Sequence, residues 1–109
     1  PLRHRLDLDQ SAAHQRGELG YWLGRPYWGH GYATEAARAM LRYGFEQLRL
    51  HRIFANYIGR NAASGRVLEK AGMQYEGCLQ EHIVRNGRFE DLVLYGLLRE
   101  DWEARHSER

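Results

Sequence analysis

The chain has 109 residues, room for one small domain and no more. A hydrophobic fraction of 43% fits a globular protein, a charged fraction of 28% argues against a membrane or fibrous class, and no apolar stretch approaches the roughly 20 residues that a membrane-spanning helix needs. The net charge of +2 does not by itself indicate a nucleic-acid partner, and the single cysteine, Cys78, excludes an internal disulfide and suits a reducing cytoplasm.

The first residues lack an initiator Met, and Leu2, Leu6 and Leu8 alternate with charged neighbours in a short strand pattern. No apolar core follows the charged start, so it does not read as a signal peptide. The expectation is a fragment of something longer. Gln10 to Arg16 reads as a polar loop, and Glu18 to Leu23 as a strand ended by Gly24-Arg25-Pro26. The strongest helix follows. Ala33, Ala36, Ala37, Met40, Leu41, Gly44, Phe45 and Leu48 recur at the spacing of one apolar stripe, with Glu35, Arg38, Arg42, Glu46 and Arg49 opposite.

Ile53 to Ile58 reads as a buried strand. Asn61 stands at the cap position of a second helix whose face is formed by Ser64, Val67, Leu68 and Ala71, and Gly72 ends it. Met73 to Arg85 and Arg88 to Arg99 read as strands joined by the hairpin signal Asn86-Gly87. The polar end from Glu100 predicts one helical turn and then a flexible tail over 103–109. This order of elements predicts a single α/β domain with α+β character over residues 1–109. Its one mixed sheet would be part parallel and part antiparallel, with helices packed on it.

The turn from Gly24 to Thr34 joins a strand to the long helix and carries Gly29-His30-Gly31 where a Ser or Asp cap would ordinarily stand. Uncapped N–H groups at a helix start, reinforced by the helix dipole, form an anion site, and glycine lets a pyrophosphate approach the backbone. A dinucleotide fingerprint would need Gly at Thr34, and a nucleoside-triphosphatase loop would need Gly-Lys-Ser/Thr; neither is present. A plain tight turn is the competing reading.

Four spaced motifs resemble the GNAT superfamily of N-acetyltransferases, and within it the ribosomal-protein N-terminal (alanine or serine) acetyltransferase branch. They are Tyr27 to Ala36 containing Trp28-Gly29-His30-Gly31-Tyr32-Ala33; Asn61-Ala62-Ala63-Ser64 with Leu68-Glu69-Lys70-Ala71-Gly72-Met73; Glu76-Gly77-Cys78-Leu79; and Arg85-Asn86-Gly87-Arg88 with Asp91, Tyr95 and Leu98 to Trp102. Trp28 replaces the Gln or Arg of the general superfamily pattern, and the resemblance runs from Glu18 to Trp102. It implies a GNAT-like fold without its N-terminal elements, acetyl-CoA as cosubstrate, and direct attack of an amine on the thioester in a ternary complex. The acceptor would be a protein N-terminus or a small molecule. It further implies cofactor contacts from Trp22, Leu23, Trp28, Gly29, His30, Gly31, Tyr32, Ala33, Thr34, Asn61 and Ser64, with an N–H near Leu23 polarising the thioester carbonyl.

The resemblance makes Ser64 the acid that protonates the thiolate, because the Tyr that many members carry seven residues after the Asn is Leu68 here. For the base the candidates are Glu81, His82 or a water. Counting outward from the Asn-Gly turn sets His82 opposite Asp91, either as a tuned imidazole or as a structural cross-strand pair. Where the ribosomal-protein enzymes place a base, this chain has Ile83. The remaining histidines show no ligand spacing, so no metal is expected. Relatives often dimerise, so a homodimer is a further expectation. Two other readings compete: a non-catalytic coenzyme A-binding module, and a basic nucleic-acid-binding domain. The latter would need Arg clustered with exposed aromatics, whereas Arg is scattered.

Overall fold

The computed structural model describes residues 6–11, 16–21 and 32–106. The alternating N-terminal stretch forms β1 (Leu6–Ser11), which pairs antiparallel with β2 (Arg16–Tyr21) from Leu6↔Tyr21 to Ser11↔Arg16. Gln10, Ser11 and Arg16, expected in a loop, are therefore ladder residues. Backbone pairing satisfies N–H and C=O groups whatever the side chain, so a hairpin can extend through polar positions.

The apolar stripe forms α1 (Tyr32–Arg42), with Ala33, Ala37 and Leu41 fully buried and Glu35, Arg38 and Arg42 exposed. The helix does not simply continue as α beyond Arg42. Residues Tyr43–Gln47 form one wider π-helical turn, in which the Leu48 N–H donates to the Tyr43 carbonyl at 3.1 Å. This keeps both Gly44 and Phe45 buried.

β3 (Arg52–Ile58) buries Ile53 and Ala55 on one face, and α2 (Ala62–Ala71) closes on Gly72 in the left-handed conformation, as expected. β4 (Gln74–Arg85) and β5 (Arg88–Leu98) form the predicted hairpin, with Arg85 opposite Arg88. The turn needs two positive φ angles, 55° at Asn86 and 75° at Gly87, which is why this dipeptide occurs there.

The end of the chain differs from expectation. Instead of one turn and a loose tail, α3 spans Arg99–His106, so 103–106 are helical. The reason is tertiary. Trp102 is buried with its ring centroid 5.4 Å from that of Phe45, and the Arg99 guanidinium donates to the carbonyls of Arg49 and Leu50 at 2.8 and 3.2 Å.

The five strands form one sheet in the order β1-β2-β3-β5-β4. Among the described strands only β2 and β3 pair in parallel; the other neighbours are antiparallel, so the expected mixed sheet is observed. Leu19, Ile53, Ala55, Tyr95 and Leu97 belong to one core with Ala33, Ala37, Leu41, Val67 and Leu68 of the helices. Among the described residues, no helix is long and apolar enough to cross a membrane.

Candidate active site

The two parallel strands stay together only briefly. Their pairing consists of Arg16↔Arg52, Gly17↔Ile53 and Glu18↔Phe54, yet β2 continues to Tyr21 and β3 to Ile58. Past Glu18 and Phe54 the strands part, and on that side their backbone groups no longer satisfy each other. Such a gap can take an extended ligand that supplies the missing partners. Asn56 reaches across it, its Nδ2 donating to Glu18 Oε2 at 3.1 Å.

Asn56 also belongs to the wall of a cavity of about 530 Å³, together with Tyr57 and Ile58 of β3, Asn61 and Ser64 at the head of α2, Ile83 and Arg85 of β4, and Leu92 of β5. Ser64 is 3% exposed, so its position at the head of the apolar face does turn it inward. Asn61 corrects an expectation. Its backbone occupies the cap position, but its side chain makes no capping hydrogen bond. With ψ at 70° the residue is outside the extended region from which capping side chains fold back onto the helix. The turn is closed by main chain instead: the Asn61 N–H donates to the Ile58 carbonyl at 2.8 Å, and the Ser64 N–H to the Asn61 carbonyl at 3.0 Å. Leu68 is fully buried, so that position serves packing rather than the cavity.

The expected His82–Asp91 pair does not form. Leu79 pairs with Leu92 and Ile83 with Glu90, so residues 80–82 of β4 bulge opposite Asp91 alone. Glu81 takes a positive φ of 46° and its N–H donates to Asp91 Oδ1 at 2.8 Å. The carboxylate thus finds a backbone donor where counting had supplied an imidazole. Glu81 is exposed and lines a separate open hollow of about 540 Å³ with Gln80 and Asp91. The two expected catalytic residues, Ser64 and Glu81, therefore lie on different hollows.

Of the glycine-rich turn, only its helical end can be placed. Tyr32 begins α1, and Ala33 and Thr34 are buried in its first turn. Trp22, Leu23, Trp28, Gly29, His30 and Gly31 lie outside the described residues.

Three residues to which the sequence motifs assign no role, Tyr57, Glu69 and Tyr95, form a connected set at the edge of the cavity. The Tyr95 hydroxyl donates to Glu69 Oε2 at 2.6 Å, and the ring centroids of Tyr57 and Tyr95 stand 6.0 Å apart. Burial, and then the bond to Glu69, push Tyr95 far above the usual phenol range. Burial likewise raises Tyr57, partly offset by the neighbouring Tyr95 hydroxyl. Two signals were available. Tyr57 has the parity of Ile53 and Ala55, hence the core face. Gly65 sits inside a helix, where Ala would be about 1 kcal/mol better. A Cβ there would collide with the Tyr57 hydroxyl, which explains the glycine.

Residues 5–74 match the model of the acetyltransferase (GNAT) domain. The chain belongs to the GNAT acetyltransferase family. Among its relatives is the uncharacterized N-acetyltransferase YnaD of Bacillus subtilis (strain 168), 40% identical over 85 residues, which are 78% of this chain and 50% of that protein. The [ribosomal protein uS5]-alanine N-acetyltransferase of Escherichia coli (strain K12) is 37% identical over 84 residues, covering 77% of this chain and 43% of that one. Among solved structures, the spermidine/spermine N-acetyltransferase SpeG of Vibrio cholerae superposes with a TM-score of 0.83 at 26% identity, over 92% of this chain and 61% of the other. The GNAT chain thus has the expected fold and spans about half the length of the curated relatives it matches.

Proposed function

We propose that this GNAT chain carries the cofactor-binding part of an N-acetyltransferase, in which an amine attacks the thioester of acetyl-CoA directly within a ternary complex. The observation that carries the reading is the parting of β2 and β3 beside a cavity lined by Asn61 and the buried Ser64. A pantetheine arm lying between the strands would pair with the backbone groups that face the gap, and its thioester would then point toward the head of α2. The turn Gly29 to Thr34, with Trp28 before it, would cradle the pyrophosphate at the start of α1. Trp22 and Leu23 would flank the arm, the Leu23 N–H polarising the carbonyl where the oxyanion develops. Asn61, its amide not engaged in capping, would bind the pantetheine, and Ser64 would present its hydroxyl to the leaving sulfur.

Glu81 lies in the neighbouring hollow rather than with Ser64, so its service as base would run through a water. The names of the relatives point to two acceptor classes, the α-amine of a ribosomal protein and a polyamine. A protein N-terminus or a small-molecule amine is accordingly the acceptor proposed here.

Calorimetric titration with acetyl-CoA tests the reading. The expected result is saturable binding by the parent protein and none by Gly31→Glu, whose carboxylate would occupy and repel the pyrophosphate site. An acceptor screen by thiol release would follow. A folded parent that binds no acetyl-CoA, in this chain and in the full gene product alike, would remove the proposal.

A further inference from the structure

Rested on the acetyltransferase reading, the proton that the departing thiolate needs has no strong source among the residues singled out so far. A serine hydroxyl is a weak acid, and Leu68 is sealed in the core. Among the described residues, the lining of the Asn61–Ser64 cavity holds one other hydroxyl, that of Tyr57. We propose that Tyr57 donates the proton taken up by the leaving coenzyme A thiolate, with Ser64 as its hydrogen-bonding companion at the sulfur.

Three observations place the phenol for this step. The missing side chain of Gly65 brings the Tyr57 hydroxyl against the first turns of α2, next in sequence to Ser64. The Tyr95 ring of β5 packs against that of Tyr57 with centroids 6.0 Å apart, and the Tyr95 hydroxyl is itself held by Glu69 of α2 at 2.6 Å, so residues of three elements surround the phenol. Burial raises the Tyr57 phenol, which is protonated at neutral pH in any case, as an acid must be before it acts. A phenol is also far closer in acidity to a thiol than an aliphatic alcohol is.

At rest the Tyr95 proton lies toward Glu69. As the tetrahedral intermediate collapses, the C–S bond breaks, the Tyr57 O–H bond breaks and an S–H bond forms. Bulk water returns a proton to the resulting phenolate through the open cavity. The proton released by the amine leaves separately, to the base or to water, so one proton is taken up and one given out per turnover.

The test compares Tyr57→Phe, Tyr95→Phe and Ser64→Ala in the full gene product, reading kcat by thiol release, acetyl-CoA affinity by calorimetry and folding by thermal melt. Tyr57→Phe is expected to lower kcat about 100-fold while acetyl-CoA affinity stays within about threefold; Ser64→Ala is expected to cost about tenfold and Tyr95→Phe about the same. A Tyr57→Phe enzyme within threefold of wild-type kcat overturns the proposal, as does a Ser64→Ala loss deeper than that of Tyr57→Phe. Should Tyr57→Phe fold poorly, 3,5-difluorotyrosine at position 57 keeps the shape and lowers the phenol pKa. The alkaline fall of kcat must then move to lower pH, because the neighbouring titratable groups Tyr95, Glu69, Tyr75 and Cys78 are unchanged; an unmoved limb overturns the assignment. A wild-type enzyme that releases no thiol with any amine defeats the acetyltransferase reading and this inference together, whereas normal turnover by Tyr57→Phe defeats this inference alone.

Discussion

The two long helices follow different rules. α1 buries Ala33, Ala37 and Leu41, with Phe45 continuing the stripe, all fully excluded from solvent and all but Thr34 apolar on that side. α2 buries Val67 and Leu68 toward its C-terminal end but Ser64 and Gly65 toward its head. The tail of α2 is tied down: Arg38 of α1 donates to the Lys70 carbonyl at 2.9 Å and Arg105 of α3 to the Gly72 carbonyl at 2.8 Å. These cations satisfy C-terminal carbonyls that the helix cannot pair internally, and they complement its dipole. The head, by contrast, forgoes a side-chain cap, gives up a helix-favouring residue at Gly65 and buries a hydroxyl. A helix built only for packing would do none of these, and departures from local preference concentrate at functional sites.

The largest effect that would break this contrast is expected in α1. Leu41→Ala should destabilise the fold by about 2–5 kcal/mol, through lost burial and the cavity left behind, and denaturant titration would measure it. A cost below about 1 kcal/mol would mean that α1 is not the packing helix described. At the head of α2 the expectation is reversed. Removal of a capping Asn ordinarily costs about 0.5–2 kcal/mol, but Asn61→Ala should cost less than about 0.5 kcal/mol because no capping bond exists to lose. Its acetyl-CoA affinity should fall about five- to tenfold, so a stability loss without an affinity loss would return Asn61 to the role of a plain cap.

The smallest effect calibrates both. Arg52 and Glu76 form a two-pronged pair, with both N–H···O distances 2.7 Å, on strands rather than helices and partly open to solvent. The bond to Arg52 holds the Glu76 carboxyl below its ordinary value. Its stabilisation is therefore complete above the ordinary 4.5 and fades as the pH falls through the lower folded value. Glu76→Gln should cost less than about 1 kcal/mol at pH 7, and the gap to wild type should close in melts run at progressively lower pH. A gap that widened on acidification would contradict the sign of this linkage.

Much of the molecule was legible in the chain itself. The α1 stripe, the Asn86-Gly87 turn and the Gly72 stop each rest on a local rule: a repeat near 3.6 residues, a pair of positive φ angles, a left-handed residue after the last helical turn. The inward turn of Ser64 came from the same periodicity, and the spaced motifs carried the family. Local rules failed where a residue answers to something distant in sequence. His82 missed Asp91 because the backbone of Glu81 could reach that carboxylate first, and alternation cannot foresee a bulge. Residues 103–106 became helix because Trp102 found Phe45 from across the fold.

The sequence by itself determined most of the helices and strands, and the family to which they belong, because spacing and turn chemistry are properties of neighbours along the chain. Only the tertiary structure decided that β2 and β3 part after three residue pairs, and that Tyr57, which lines the cavity with Ser64, packs against Tyr95 and its partner Glu69. Glu69 and Tyr95 are 26 residues apart and no local pattern links them; their bond exists because α2 packs across β3 and β5, which depends on how buried apolar surface is shared among all the elements at once.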